Sequence, residues 1–277
     1  MEGLRVTREK GELDFQKVQG EFERLFEAIA NLLERDWGQR YINVDSARTV
    51  FLQSMRIAIN TYKTIMYIAA DIPKDPLRRP EYSLSLAPLT RTLFEQLVTF
   101  IFLIEDIPTY IPWLFKTGYT EQRIQLDHYL KYHSSDPVFQ NYIDALRTRI
   151  VEFEKEYNLT ANEISNPKKF IKRWPTPGGF IEKLRNEHST SSVIPFLEYI
   201  HSWFYRVLSG HTHLNSVGII ERGIYFDPRL AKNHILGSDW EEKLKEMLLG
   251  YRIGQVYLTA TLMLAICSEI EGHFNYG

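Results

Sequence analysis

The run from Tyr199 to His213, YIHSWFYRVLSGHTH, gathers hydroxyls, imidazoles and one arginine. On an α-helix His201 and Tyr205 share a face, as do Tyr205 and Ser209, because each pair is four residues apart. At about 100° per residue His213 returns to within about 20° of Arg206, whereas His211 stands about 140° round. If Gly210 ends the helix, either imidazole can swing towards the guanidinium. An Arg–His pair suits phosphate chemistry. The guanidinium holds a phosphoryl group through two parallel bonds, and a histidine titrating near neutrality moves the proton of a nucleophilic hydroxyl. The same side chains can instead end a helix by bonding its free carbonyls. His211-Thr-His213 is also an H-x-H, which on a strand would turn both imidazoles to one side. The further ligands a metal needs have no recognisable pattern: there is no H-E-x-x-H and no paired E-x-x-H. No metal and no cofactor are expected.

A second candidate set is Arg91-Thr-Leu-Phe-Glu95, continued by Thr99. Four-residue spacing makes a polar stripe along an otherwise apolar rod. It is either a surface ion pair worth tenths of a kcal/mol or a pair buried against another helix, where each charge needs compensation. A third is the basic cluster Lys168, Lys169, Lys172 and Arg173 beside Trp174, which suits a nucleic-acid backbone with a stacked base, or is a solvated loop. A dinucleotide glycine fingerprint, a phosphate-binding P-loop and a G-x-S-x-G elbow are all missing. The single cysteine, Cys267, sits in an apolar stretch with no nearby cation, which suits core packing better than nucleophilic attack.

The elements that must carry these residues read as helices. Phe15, Val18, Phe22, Leu25, Phe26, Ile29, Leu32 and Leu33 recur at three and four, which predicts a helix over 12–35. A second, capped by Asp45 or Ser46, runs to Ala69 and completes an N-terminal hairpin over 1–70. DIPKDPLRRPEY reads as a loop, followed by a helix over 83–105 that is apolar on most sides and so belongs at a bundle centre. Pro108 and Pro112 punctuate a short segment, and helices are expected near 121–132 and 137–157. Residues 158–179 are the least regular. Helices resume at 180–187 and 193–208, NSVGIIERGIYFDP makes a hairpin or stays extended, and a last helix covers 239–270. The expectation is an all-α bundle of about seven to nine helices with little or no strand. It forms one domain over 1–277, with its core in 83–270.

Composition sets the outer limits. The chain has 277 residues, 33 Lys+Arg against 35 Asp+Glu, and a net charge of −2. A hydrophobic content of 44% is too high for disorder, and one cysteine excludes an intrachain disulfide and a cysteine-based zinc site. Near-neutral charge argues against a DNA-coating or anionic-membrane protein. The charged N-terminus lacks an apolar signal region. The apolar stretches 97–104 and 253–267 fall short of the roughly 20 residues that span a bilayer. A cytoplasmic location is expected.

Taken together, R-T-L-F-E at 91–95, F-I-K-R-W-P-T-P-G-G-F at 170–180 and Y-R-V-L-S-G-H-T-H at 205–213 resemble a bacterial all-helical family of uncharacterised function. In it a buried helix begins with Arg-x-x-x-Glu, and a later helix ends in Tyr-Arg-x-Leu-Ser with a histidine four residues after the serine, here His213. The resemblance covers roughly residues 45–270. That family in turn resembles the HEPN superfamily (higher eukaryotes and prokaryotes nucleotide-binding). Its helical bundles often dimerise, and its active members are metal-independent endoribonucleases with an R-x(4–6)-H motif. Arg206 with His211 and Arg206 with His213 both fit. Active members usually carry a polar residue after the arginine, where this chain has Val207, and the superfamily includes members that bind without cleaving.

The resemblance implies a HEPN-like homodimer that acts on RNA or a nucleotide. Arg206 and His213 (or His211) would be catalytic, with Arg91, Glu95, Tyr205 and Ser209 orienting them. The alternative is a non-catalytic nucleotide-binding or protein-interaction module in which Arg91, Glu95, Tyr205, Ser209 and His213 form a structural hydrogen-bond network.

Overall fold

A computed structural model describes residues 45–70, 75–187, 193–206, 208, 209, 219, 223–234 and 238–276. The expected first helix, 12–35, lies outside the described residues. The elements, in order, are α1 (Asp45–Ala70), a 3-10 turn (Pro76–Arg78), α2 (Pro80–Glu105), α3 (Ile107–Tyr132), α4 (Pro137–Glu156), α5 (Ala161–Ser165), α6 (Pro167–Phe170), α7 (Pro177–Asn186), α8 (Ile194–Tyr199), a π-helical turn (Ile200–Phe204), α9 (Pro228–His234) and α10 (Trp240–Tyr276). No strand occurs among the described residues. The fold is all-α, and its contacts divide it into two compact units. One runs to Ile101 and resumes at Ile181; the other is Phe102–Phe180.

In the first unit α1 buries Met55, Ala58, Tyr62, Ile65, Met66 and Ala69, the three-and-four spacing of an amphipathic helix. α2 buries Leu84, Leu86, Ala87, Leu93, Phe94, Leu97 and Val98, all at 0% exposure, so most of its circumference faces protein. By length and composition it is long and apolar enough to cross a bilayer, which the 97–104 stretch alone is not, yet most of its apolar window is buried within the fold. α10 packs on α1, on the 3-10 turn and on α9. A polar contact joins α2 to α10: Thr90 Oγ1 lies 3.3 Å from Thr259 Oγ1. Each hydroxyl also donates to the carbonyl four residues back, at Leu86 and Gln255. Near this contact Gln255 is 2% exposed and its Oε1 has no hydrogen-bond partner among the described residues. A buried acceptor without a donor costs about 1–3 kcal/mol. Gln255→Met, which keeps the volume and removes the acceptor, is therefore expected to raise stability by about 1 kcal/mol in urea unfolding.

The second unit is an α3–α4 hairpin closed by α5, α6 and an extended segment. Its core joins Tyr119 and Leu126 of α3 to Ile143, Leu146, Ile150 and Phe153 of α4, with Leu159 and Ile171 at the closing end. α3 is one continuous helix, where the sequence suggests a break at its prolines. Asp106 caps it by accepting from the Thr109 amide at 3.2 Å. A proline in the first turn forfeits no helical bond, and Pro112 forfeits one. α4 ends in a Schellman motif. Asn158 takes φ 47°, and the Leu159 amide donates back to Glu154 at 3.1 Å.

The stretch 158–179 contains more order than its composition suggests. Thr160 and Glu163 form a reciprocal capping box that starts α5, and a proline in its first turn starts α6. The chain then runs extended to Thr176, whose Oγ1 accepts from the Gly179 amide at 3.3 Å. A Cβ at Gly179 would stand 3.3 Å from Pro175 Cβ, a tight contact that the W-P-T-P-G-G turn avoids with glycine.

Candidate functional site

The polar stripe of α2 and the helix that follows α8 meet inside the first unit. Arg91 Nε donates to Glu95 Oε1 at 3.0 Å, Arg91 Nη2 donates to Tyr205 Oη at 3.1 Å, and Tyr205 Oη donates to the same Glu95 oxygen at 3.0 Å. The guanidinium carbon also lies 4.9 Å from the Tyr205 ring centre. The side chains are 15% exposed at Arg91 and 39% at Glu95, so this is a half-buried triangle. An Arg-before-Glu pair is weak on an isolated helix; here a hydroxyl from a second helix bridges it. Thr99 donates to the Glu95 carbonyl and takes no part in the triangle.

Tyr205 reaches this pair at the end of the π turn. Its amide bonds to the Ile200 carbonyl, five residues back. Within that turn His201 stacks on Tyr205, with ring centres 5.2 Å apart and planes at 22°, and Phe94 of α2 lies under both rings. Burial raises the Tyr205 hydroxyl above its ordinary value, and the hydrogen bond to Glu95 adds to this. Burial lowers the His201 imidazole, helped by the charge of Arg206. Both groups are thus neutral at neutral pH. Sequence reading placed His201 on the Tyr205 face without giving it a role, because nothing in the sequence signals a π turn.

The depressed His201 has a consequence for stability. Below its ordinary value of 6.5 the unfolded chain takes up the proton more readily than the folded one. Stability is therefore fully present above about pH 6.5 and falls on acidification through the range below it. His201→Phe, which keeps a stacked ring, is expected to flatten the fall in urea midpoint between about pH 7 and 5.5.

Arg206 follows Tyr205 and takes no part in the triangle. It is exposed, with no hydrogen bond or ion pair among the described residues. Ser209 is half-buried and helical. His211 and His213 lie outside the described residues. The structure thus brings together Arg91, Glu95 and Tyr205, with the unnominated His201 and Phe94 beside them. Arg206 is an exposed cation outside this set. No group of three or more His, Cys, Asp or Glu able to hold a metal occurs among the described residues.

In the second unit the basic cluster separates into two parts. Lys168, Lys169, Lys172 and Arg173 are exposed. Trp174 is packed edge-on against Trp113, Phe180 and Phe102 at 5.2, 5.1 and 5.8 Å, so it anchors the loop. The segment's carboxylate, Glu163, is bonded to Lys116 at 2.7 Å. Burial pushes Glu163 up, but the hydrogen bonds from Lys116 and Thr160 outweigh it and hold the carboxyl below its ordinary value.

The family model of DUF5677, a family of unknown function, matches residues 77–227. The chain belongs to this family. The DUF5677 match takes in α2 with its Arg91–Glu95 pair, the whole second unit with its basic segment, and the run from Tyr205 to His213. No curated protein and no solved structure matches the chain.

Proposed function

We propose that this DUF5677 protein is a HEPN-like, metal-independent endoribonuclease of the cytoplasm, acting as a homodimer. The observation behind this reading is Arg206. It is an exposed guanidinium with no carboxylate partner among the described residues, and it directly follows a tyrosine fixed to Arg91 and Glu95. Surface arginines are common, but one held on a pinned helix in an R-x(4–6)-H run is poised to take a phosphate. His213, or His211, accepts the proton of a ribose 2′-hydroxyl as that oxygen attacks the adjacent phosphorus. The bond from phosphorus to the 5′-oxygen breaks, giving a 2′,3′-cyclic phosphate and a 5′-hydroxyl that receives a proton. Arg206 stabilises the extra charge on the phosphoryl oxygens in the transition state. Arg91, Glu95, Tyr205 and Ser209 position the helix.

A second reading is favoured by one observation: the Arg91–Glu95–Tyr205 triangle satisfies its own charges and hydrogen bonds, as a structural lock would. Under it the protein binds a nucleotide or a protein without cleaving. Incubation with mixed RNAs in the presence of a chelator, beside Arg206→Ala and His213→Ala, separates the two. Cleavage that survives the chelator and is lost in both variants supports the nuclease. Intact RNA under every condition supports the binding module.

A further inference from the structure

The second unit holds a dense run of positive charge. Four cations, Lys168, Lys169, Lys172 and Arg173, fall within six residues. None has a carboxylate within ion-pair distance among the described residues, and Glu163, the acid of the same segment, is taken by Lys116 and Thr160. The backbone that carries these cations is anchored. Trp113 Nε1 donates to the Lys172 carbonyl at 2.7 Å, Ile171 is 8% exposed in the core, and Trp174 is wedged among aromatic rings. Between the cations stands Phe170, 45% exposed, with the Lys169 ammonium 5.2 Å from its ring centre. An apolar ring held in solvent by an anchored turn, flanked on both sides by cations with no carboxylate partner among the described residues, has the chemistry of a nucleotide site. The ring takes a base face and the cations take the phosphates either side.

We propose that the α6 segment of the second unit is a docking surface for single-stranded RNA, with a base stacked on Phe170 and the adjoining phosphates held by Lys168, Lys169, Lys172 and Arg173. The ligand class, RNA, rests on the function proposed above, while the binding itself requires no cleavage. Single strands fit better than duplex because stacking on Phe170 needs an unpaired base. An RNA fits better than a membrane because the patch offers one apolar side chain, beside the polar Asn162 and Asn166.

The test is fluorescence anisotropy with a labelled 12-nucleotide oligouridine and the full-length Arg206→Ala protein, so that the probe stays intact. Lys168→Ala/Lys169→Ala/Arg173→Ala and, separately, Phe170→Ala are compared in that background. Lys172 is left in place because its ammonium lies over Trp113 at 4.7 Å. The triple variant is expected to weaken binding at least about tenfold and to flatten the salt dependence by about 2 in log K against log salt, at roughly 0.7 per phosphate. Phe170→Ala is expected to weaken it by roughly tenfold with the salt slope retained. Equal affinity in the background protein and the triple variant overturns the proposal, as does no binding at all. So does binding to phosphatidylserine vesicles but not to the oligonucleotide, which would assign the patch to a membrane. Cleavage is read separately in the protein that retains Arg206, so either conclusion can fail without the other.

Discussion

Arg206→Ala is expected to reduce RNA cleavage by about 10²–10³-fold while leaving the thermal midpoint unchanged. Removing a preorganised cation from a developing phosphorane costs about 3–4 kcal/mol of transition-state stabilisation. Removing an exposed side chain with no hydrogen bond or ion pair among the described residues costs almost nothing in folding. Arg91→Ala should behave in the opposite way. It removes the cation that donates to both Glu95 and Tyr205 in a half-buried site and leaves only the Tyr205–Glu95 bond, so stability falls first and activity follows. Circular-dichroism melting beside a cleavage assay separates the two behaviours. A loss of activity in Arg206→Ala that merely tracks a lost fold would assign Arg206 a structural role.

The second large effect is expected at Phe102→Ala. Phe102 is 0% exposed, and four rings surround it: Tyr110 at 4.0 Å, Phe180 at 4.3 Å, Trp174 at 5.8 Å and Trp113 at 6.2 Å. Truncating a fully buried phenylalanine costs about 3–5 kcal/mol through lost transfer energy and the cavity left behind. Here it also frees Trp174 and Phe180, the two rings that hold the extended segment after α6. Urea unfolding should show the loss. Oligouridine binding should weaken with it even though every lysine of the patch is intact. Phe102→Leu, which refills most of the volume, should recover most of both.

The helices were legible where one physical signal dominated. The second N-terminal helix, expected from Asp45 or Ser46 to Ala69, is α1, Asp45–Ala70, and the last, expected over 239–270, is α10, Trp240–Tyr276. α1 carries a long three-and-four pattern, α10 a long run rich in apolar and helix-forming residues, and neither has an internal proline. The readings that fell short involve competing signals. Pro112 suggested a break, but it lies so near the start of α3 that it removes a single bond. Proline and polar content suggested a loop over 158–179, although Thr160-x-x-Glu163 was a capping box in plain view.

The candidate site was legible as a set of residue types but not as a constellation. Four-residue spacing pairs Arg91 with Glu95. It cannot reveal that Tyr205, 114 residues away, closes the triangle, since no local rule encodes a contact between helices. Nor does it place His201, whose stacking depends on a π turn. The basic cluster was legible as charge. Which aromatic stands most in solvent was not, because Trp174 packs against the rings of α2, α3 and α7 while Phe170 is 45% exposed.

The chemistry of the RNA ends formed by the purified protein in excess chelator tests the central claim most directly. Fragments ending in a 2′,3′-cyclic phosphate and beginning with a 5′-hydroxyl, lost in Arg206→Ala and in His213→Ala, are the result the Arg–His mechanism predicts. Fragments with 3′-hydroxyl and 5′-phosphate ends, or RNA left intact by the wild-type protein, would contradict it.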